Sequence, residues 1–426
     1  MFKPFICILC LSAITFRLQA QERKDLAFYF KQAQLAHSEG RKADYLSNMI
    51  EADKLRPNHQ ILMYHLACAY AVNEKLEEST AYLRRALIIK GDLDIENNEQ
   101  LAGLRSNTHF DELVELKEKV NVSISSSEEA FKLDERDLHI ESIAFDPIES
   151  TFYLGSVHKR LIISIGNDGV PKRFKNQAQD GLWSVMGMKV DAQRRLLWVC
   201  TTTTTNMADY TASESGKSSI MKYDLNTGKL LQRYSLKDSL DHWFGDLTVS
   251  SSGDVYISDS QTNQVYTINE EMDRLEVLFE SETFLSLQGI AYDDRSNALF
   301  IADYVKGIYR IDLSDKTLIK VNCGEEVSLK SVDGLYLYKN SLIATQNLVV
   351  PMRVTRYYLN KAQDKITQVE YLEKGNPLLN EPTLGVIVEN EFYYVANSQW
   401  GGYDKEEKIL PVSELEDIVI LKARLK

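Results

Sequence analysis

A short pattern that occurs six times between residues 141 and 388 constrains this chain most strongly. In each copy, a residue of variable type is followed by one that is mostly small and then by three residues typical of a β-strand. Successive copies are roughly 43 to 59 residues apart, the spacing expected of propeller blades. The pattern predicts six inner strands around a central channel, with one ring formed by the first residues: Glu141, Met186, Gly245, Gln288, Asp333 and Leu384.

The chain from residue 131 to 426 has the alternation and turn spacing of an all-β domain. Each repeat contains further strands after the inner one, which predicts a six-bladed propeller. The last repeat ends near the C-terminus without room for a fourth strand. We therefore expect residues 131–138 to supply that strand and close the ring.

Residues 21–122 have a helical period and few strand signals, so the predicted fold is a multidomain chain with an all-α region before the propeller. Small or apolar residues recur there at a 34-residue offset and resemble the tetratricopeptide motif over two repeats: Ala33 and Ala67, Met49 and Leu83, Ala52 and Ala86. Such helices either brace the propeller, hold a dimer or recognise a protein partner. A polar linker is predicted at 123–130.

Residues 1–20 have the features of a secretory signal peptide. Lys3 precedes a short apolar run, and cleavage is expected near Ala20. A lipoprotein leader is the alternative, because Cys7 and Cys10 lie in this segment. No later stretch is apolar enough to span a membrane. We therefore expect a periplasmic or secreted protein.

The formal net charge of −13 argues against nucleic acid and anionic membranes as partners. Three cysteines lie outside the leader, namely Cys68, Cys200 and Cys323, each in or beside an apolar segment. An odd number with no close pair predicts buried thiols.

A hairpin brings the start of an inner strand and the end of the second strand to the same face of the propeller. Asp303, Asn347 and Asn397 are therefore expected at this mouth and are candidates for binding a small ligand. Further candidates are Asp246 and His242, which lie close to the start of an inner strand, and Arg353, which could reach an anionic ligand at the mouth. Each of these residues can instead have a purely structural role. Aspartates at strand ends often cap turns, His242 can serve in core contacts, and Arg353 can pair with a carboxylate.

Glu141, Gln288-Gly289 and Asp333-Gly334 resemble the mouth positions of the regucalcin and gluconolactonase family of six-bladed propellers. In that family a first-blade glutamate, a fourth-blade asparagine and a fifth-blade aspartate hold one divalent cation, with a third-blade asparagine near the substrate. Here Gln288 stands in place of the fourth-blade asparagine, and Gly245 in place of the third-blade one.

The resemblance implies a cation site for Ca²⁺, Mn²⁺ or Zn²⁺ made by Glu141, Gln288 and Asp333, with Asp333 as the catalytic base of a lactone hydrolase. Two other functions stay open. The propeller can be a ligand-binding module without catalysis, or the helices can make the protein an interaction scaffold. Alternatively, Asp333 and Gln288 have a structural role and only form hydrogen bonds with backbone groups in the channel.

Overall fold

The computed structural model describes residues 24–57, 59–106 and 108–426; the predicted leader at 1–20 lies outside them. The N-terminal part is helical, as predicted. It contains two helical hairpins, a 3₁₀ segment at Glu99–Leu104 and a final helix. The helices are α1 (Leu26–Ser38), α2 (Lys42–Leu55), α3 (Gln60–Val72), α4 (Leu76–Ile89) and α5 (Thr108–Asn121).

The residues that recur at the 34-residue offset are buried between these helices. Ala33, Met49 and Ala52 belong to one apolar cluster, and Ala67, Leu83 and Ala86 to the next. These small or apolar side chains pack where the helices of each hairpin meet. The helical region of residues 26–121 is thus established, while its tetratricopeptide character stays a prediction.

The chain then forms the predicted six-bladed propeller. Its strands are, in chain order, β1 (Ile124–Ser125), β2 (Glu128–Leu133), β3 (Ile140–Asp146), β4 (Thr151–Ser156), β5 (Leu161–Ile165), β6 (Pro171–Lys175), β7 (Ser184–Asp191), β8 (Leu196–Thr202), β9 (Ser218–Asp224), β10 (Leu230–Ser235), β11 (Phe244–Val249), β12 (Val255–Asp259), β13 (Gln264–Asn269), β14 (Arg274–Glu280), β15 (Leu287–Asp293), β16 (Ala298–Asp303), β17 (Gly307–Asp312), β18 (Leu318–Lys320), β19 (Val332–Tyr338), β20 (Ser341–Gln346), β21 (Arg353–Leu359), β22 (Ile366–Lys374), β23 (Gly385–Val388), β24 (Glu391–Val395) and β25 (Ile418–Arg424).

Each blade is an antiparallel sheet whose first strand faces the channel, and these inner strands are β3, β7, β11, β15, β19 and β23. The ring closes as predicted, because β2 from the start of the propeller pairs with β25 at its end. The strand begins at Glu128, three residues before the predicted start, and ends at Leu133. Joining the two ends of the propeller in one sheet removes an open edge from the last blade.

The inner strands approach one another closely around the channel. A Cβ atom on Gly289 would lie 2.4 Å from the Asp333 carbonyl oxygen and from the Leu335 amide nitrogen. One on Gly187 would lie 2.7 Å from the Cα of Asp246. The small second residue of the repeat is therefore required by contact between neighbouring backbones.

The pairing register shifts where each of the first five inner strands begins, for example between Ile140 and Ser142 and between Leu287 and Ile290. Similar shifts occur in β7, β11 and β19. At the rim of a sheet, a bulge of this kind changes the direction in which a side chain points. The first residue of the repeat lies at this shift.

The helical region is joined to the propeller at blade five. The amide of Val350 donates to the Ile89 carbonyl, and the amide of Gly91 donates to the Val350 carbonyl, both at 2.8 Å. Val349 lies fully buried in the apolar cluster of the helices. The propeller therefore contributes a side chain to the core of the helical region.

The segment predicted as a linker at 123–130 is ordered. Strand β1 adds a fifth strand to blade five by pairing with β22. Glu373 then accepts hydrogen bonds from the backbone amides of Ser126 and Ser127, at 3.1 and 2.7 Å. These bonds hold the connection between the helices and β2 against the blade.

No helix among the described residues is long and apolar enough to cross a membrane. Cys68 and Cys200 are buried free thiols, as predicted, whereas Cys323 is half-buried.

Substitution of Gly289 by alanine should lower the free energy of unfolding by about 3 kcal/mol, because the new methyl group meets backbone atoms of the next blade. Gly245→Ala is the matched control, since a Cβ there meets nothing nearer than 3.5 Å. It should change stability by less than about 1 kcal/mol. Urea denaturation measures both. Equal stability of the two variants would contradict the role assigned to this contact.

Candidate functional site

A cavity of about 420 Å³ opens at the mouth of the channel. We call it the mouth cavity and define it by the residues that line it: Glu141, Met186, Trp243, Ser260, Gln261, Ser286, Gln288, Tyr304, Asp333, Asn347, Leu348, Glu381 and Trp400. The three residues predicted from the sequence to hold a cation, Glu141, Gln288 and Asp333, are all among them.

Glu141 is buried at the wall between blades one and six. Its Oε2 atom accepts hydrogen bonds from Ser398 Oγ at 2.6 Å and from Trp400 Nε1 at 2.9 Å. Burial and the nearby Asp333 carboxylate raise the pKa of Glu141 well above its usual range. The two hydrogen bonds offset only part of this effect and fix the carboxylate in one orientation.

Asp333 lies on the inner strand of blade five, where its Oδ2 accepts a hydrogen bond of 2.6 Å from Asn347 Nδ2. The side-chain Oδ1 of Asn347 in turn accepts a hydrogen bond of 2.5 Å from the Tyr304 hydroxyl. Burial is the main cause that raises the pKa of Asp333 to about 7, and the Asp246 and Glu381 carboxylates add to it. Asn347, predicted to bind ligand, thus lines the cavity and orients Asp333.

Gln288 extends over the space left free by Gly245. A Cβ on Gly245 would lie 3.5 Å from Gln288 Oε1 and 3.6 Å from Ser260 Oγ. The side-chain Nε2 of Gln288 donates a hydrogen bond to Ser286 Oγ at 3.3 Å. The longer side chain in blade four and the missing one in blade three therefore complement each other, which places an amide oxygen between the two blades.

Glu381, which precedes the inner strand of blade six and lines the mouth cavity, was not predicted from the sequence. Its Oε2 accepts a hydrogen bond of 3.1 Å from the amide of Gly401. Three aromatic residues were also missed as wall residues: Trp243, Tyr304 and Trp400. They come from loops between strands, where neither the repeat nor the strand alternation gives a signal.

Trp400 is fixed from behind by a second layer of aromatic rings. His139 meets its ring edge to face, with centroids 4.5 Å apart, and hydrogen-bonds the Tyr403 hydroxyl through Nδ1 at 2.5 Å. Burial lowers the pKa of His139 to about 3, so the imidazole is neutral at physiological pH. This layer holds Trp400 in position to donate to Glu141.

Asp246 does not line the mouth cavity. It occupies the ring position where most other blades have glycine, and it is fully buried beside the backbone of Gly187. Its Oδ2 accepts a long hydrogen bond of 3.4 Å from the Ile290 amide, and its Oδ1 has no hydrogen-bond partner among the described residues. Burial raises its pKa, and Lys189 opposes that shift.

Three further candidates lie outside the cavity and have structural partners. Asp303 accepts hydrogen bonds from four backbone amides, those of residues 285, 286, 305 and 306, which is the capping role considered as the alternative. Asn397 bonds the backbone of Asp417 and Val419. Arg353 is buried, and donates to Gln346 Oε1 and to the Ile88 carbonyl of the helical region instead of reaching the mouth.

His242 also lies outside the mouth cavity. Its Nδ1 is 2.6 Å from Asp259 Oδ2, and its Nε2 is 2.9 Å from Asp238 Oδ1. Burial acts to lower the pKa of His242, but the hydrogen bonds to the two carboxylates outweigh it and raise the pKa. The histidine therefore fastens the loop before β11, and both ring nitrogens are engaged.

The described residues that line the mouth cavity include three carboxylates and no lysine, arginine or histidine. Among residues 24–57, 59–106 and 108–426, no group of three or more His, Cys, Asp or Glu side chains is placed to hold a metal ion alone. Any cation bound here must therefore also take amide or water oxygens as ligands. Oxygen donors of this type suit a hard cation.

Asp333→Asn should raise the free energy of unfolding by about 2 kcal/mol near pH 8 in the presence of a chelator, because it removes a buried charge. The folded-state pKa of about 7 exceeds the ordinary aspartate pKa of 3.8, so the stability of the wild type falls as pH rises between these two values. The stability of Asp333→Asn should not show this dependence on pH.

Asp303→Asn, which weakens hydrogen bonds with backbone amides, is the control and should lower the free energy of unfolding. A loss of stability in both variants would contradict the assignment.

Asp238→Asn should lower the pKa of His242, measured by NMR titration of the imidazole. Because the folded pKa is raised, the ion pair stabilises the fold below about pH 6.5 and loses its effect as pH rises through the folded pKa. The variant should therefore cost more stability at acidic than at alkaline pH. Asp241→Asn is the control. An unchanged His242 pKa in Asp238→Asn would refute the ion pair.

The family model described as major royal jelly protein matches residues 183–276. No curated protein matches the sequence. Among solved structures, the chain is similar to a gluconolactonase from Xanthomonas campestris, with 12% identity and a TM-score of 0.48, covering 71% of this chain and 95% of that one.

Two other solved structures are similar over a comparable length. One is the aldose sugar dehydrogenase of Streptomyces coelicolor, with 11% identity, a TM-score of 0.47, and coverage of 70% of this chain and 98% of that chain. The other is virginiamycin B lyase from Staphylococcus aureus, with 14% identity, a TM-score of 0.44, and coverage of 68% and 97%.

Proposed function

We propose that this chain is an exported, regucalcin- and gluconolactonase-like propeller protein that binds a small ligand in the mouth cavity together with one divalent cation. One observation carries the proposal. Glu141, Asp333 and Glu381 converge on a cavity that no basic side chain of the described residues lines. Ionised carboxylates that share a cavity without a compensating cation repel one another, and a bound cation would remove that cost.

The donor set fits a hard cation such as Ca²⁺, with Mn²⁺ and Zn²⁺ as the other candidates. Glu141 and Asp333 each use one carboxylate oxygen for hydrogen bonds with described residues and keep the other oxygen for a further ligand. Gln288 would add its amide oxygen. Two carboxylates, one amide and water molecules satisfy the preference of Ca²⁺ for several oxygen ligands.

The surrounding residues support ligand binding at the same place. Ser398 and Trp400 fix Glu141, while Asn347 and Tyr304 orient Asp333, so neither carboxylate must reorganise when a ligand arrives. Trp243 and Trp400, with ring centroids 6.5 Å apart, provide apolar wall. A compact ring with polar substituents matches this combination of acidic and aromatic lining residues.

Hydrolysis of a lactone is the second candidate. It is favoured by the position of Asp333, whose carboxylate lines the cavity and is oriented by Asn347, so that it could serve as a general base. A bound cation would polarise the lactone carbonyl. Asp333 would accept a proton from the attacking water, while Asn347 keeps its carboxylate in place.

For the helical region, which we propose to be tetratricopeptide-like, bracing of the propeller is favoured over partner recognition. The supporting contact is Arg353, a buried propeller side chain that donates to the Ile88 carbonyl at 3.2 Å. The insertion of Val349 into the helical core supports the same role. An interaction scaffold stays the alternative for the remaining helical surface.

Calorimetric titration with Ca²⁺, Mn²⁺ and Zn²⁺ tests the cation site. The wild type should bind one ion with a Kd of about 1 mM or tighter, and Asp333→Asn should weaken binding at least about tenfold. Asp315→Asn, in an exposed turn, is the matched control and should bind like the wild type. Absence of binding by the wild type would refute the proposal.

The two candidate functions differ in turnover. With the cation bound, the lactonase alternative predicts acid release from a simple sugar lactone in a pH-stat assay, and loss of that release in Asp333→Asn. Cation binding without acid release favours the ligand-binding protein.

A further inference from the structure

A second cavity, of about 170 Å³, lies between the helical region and blade four, and we call it the junction cavity. Its apolar lining comes from both domains. Met63 and Ile88 belong to the helices α3 and α4, while Val321, Val327 and Leu329 follow strand β18. The cavity is distinct from the mouth cavity, with which it shares no lining residue.

Four cationic side chains line the same cavity: Arg85 from α4, and Lys306, Lys320 and Lys330 from blade four and the loop after it. Glu325 is the one acidic residue among the described residues that line it. This excess of positive charge stands out in a chain whose formal net charge is −13. An attraction for anions follows from the local charge, not from the net charge.

The cations are close enough to influence one another. Burial is the main cause that lowers the pKa of Lys330 to about 8, and the positive charges of Lys320 and Arg85 lower it further. Asp53 and Asp303 act in the opposite direction and offset only part of the effect. A bound anion would relieve this mutual repulsion.

Neither Arg85 nor Lys320 forms an ion pair with any residue in the part of the chain that the structure describes. Instead, Arg85 lies over the ring of Tyr82 at 5.0 Å, and Lys320 lies near the ring of Tyr309 at 6.0 Å. Both side chains are exposed at the rim. Their charges are therefore available to a ligand without breaking a salt bridge.

We propose that the junction cavity binds an organic anion with a short apolar body, such as a medium-chain carboxylate. The apolar lining would take the hydrocarbon part, and the rim formed by Arg85 and Lys320 would take the carboxylate. Apolar walls with a few polar groups are the usual composition of small-molecule sites. Because α4 and blade four each supply one wall, the ligand would link the helical region to the propeller.

Calorimetric titration of the full-length protein with hexanoate tests this site at fixed ionic strength. We expect a Kd of about 1 mM or tighter. Hexanol, which lacks the charge, and acetate, which lacks the apolar body, should each bind at least about tenfold more weakly. No binding of hexanoate, or binding of inorganic phosphate as tight as that of hexanoate, would overturn the proposal.

Two variants locate the binding. Lys320→Met and Arg85→Met should each weaken hexanoate binding about fivefold, as expected from the loss of one partly exposed ion pair. Lys316→Met, an exposed lysine of the same blade outside the cavity, is the matched control and should bind like the wild type. Circular dichroism verifies that each variant is folded. An equal loss in Lys316→Met would mean general charge screening and would refute the site.

Discussion

The contact between neighbouring inner strands is the constraint on which the rest of the propeller depends. At Gly289, for example, the next blade comes so near that a methyl group would meet its backbone at 2.4 Å. Such an approach fixes the diameter of the channel and the angle between blades. It also explains why the second residue of the repeat is mostly glycine or serine, since a larger side chain would separate the blades.

The same geometry creates the mouth cavity. A register shift at the start of each of the first five inner strands places the first residue of the repeat at the rim, where Glu141 of blade one and Asp333 of blade five line the same cavity. Hydrogen bonds from Trp400 and from Asn347 hold the two carboxylates in place. Their raised pKa values record the cost of ionising both in a cavity without a basic residue among those described.

The helical region adds a second level of organisation. Its core includes Val349 of the propeller, and its last residues continue into β1 and β2, which belong to blades five and six. Hydrogen bonds from Ser126 and Ser127 to Glu373 make the connection part of the blade. The helices and the propeller therefore share apolar core and backbone hydrogen bonds, which explains how a cavity can form between them.

The sequence by itself determined the six repeats, the closing strand and the ring positions of Glu141, Gln288 and Asp333, because every blade repeats one strand pattern in the same register. Only the tertiary structure decided which other residues line the cavity with them. It brought in Glu381 and Trp400 from loops and left Asp303, Arg353, Asn397 and His242 outside the cavity. The physical reason is that a residue at a strand end can turn toward the channel or toward nearby backbone amides. Local bulges and loop contacts, which have no sequence period, decide between these directions.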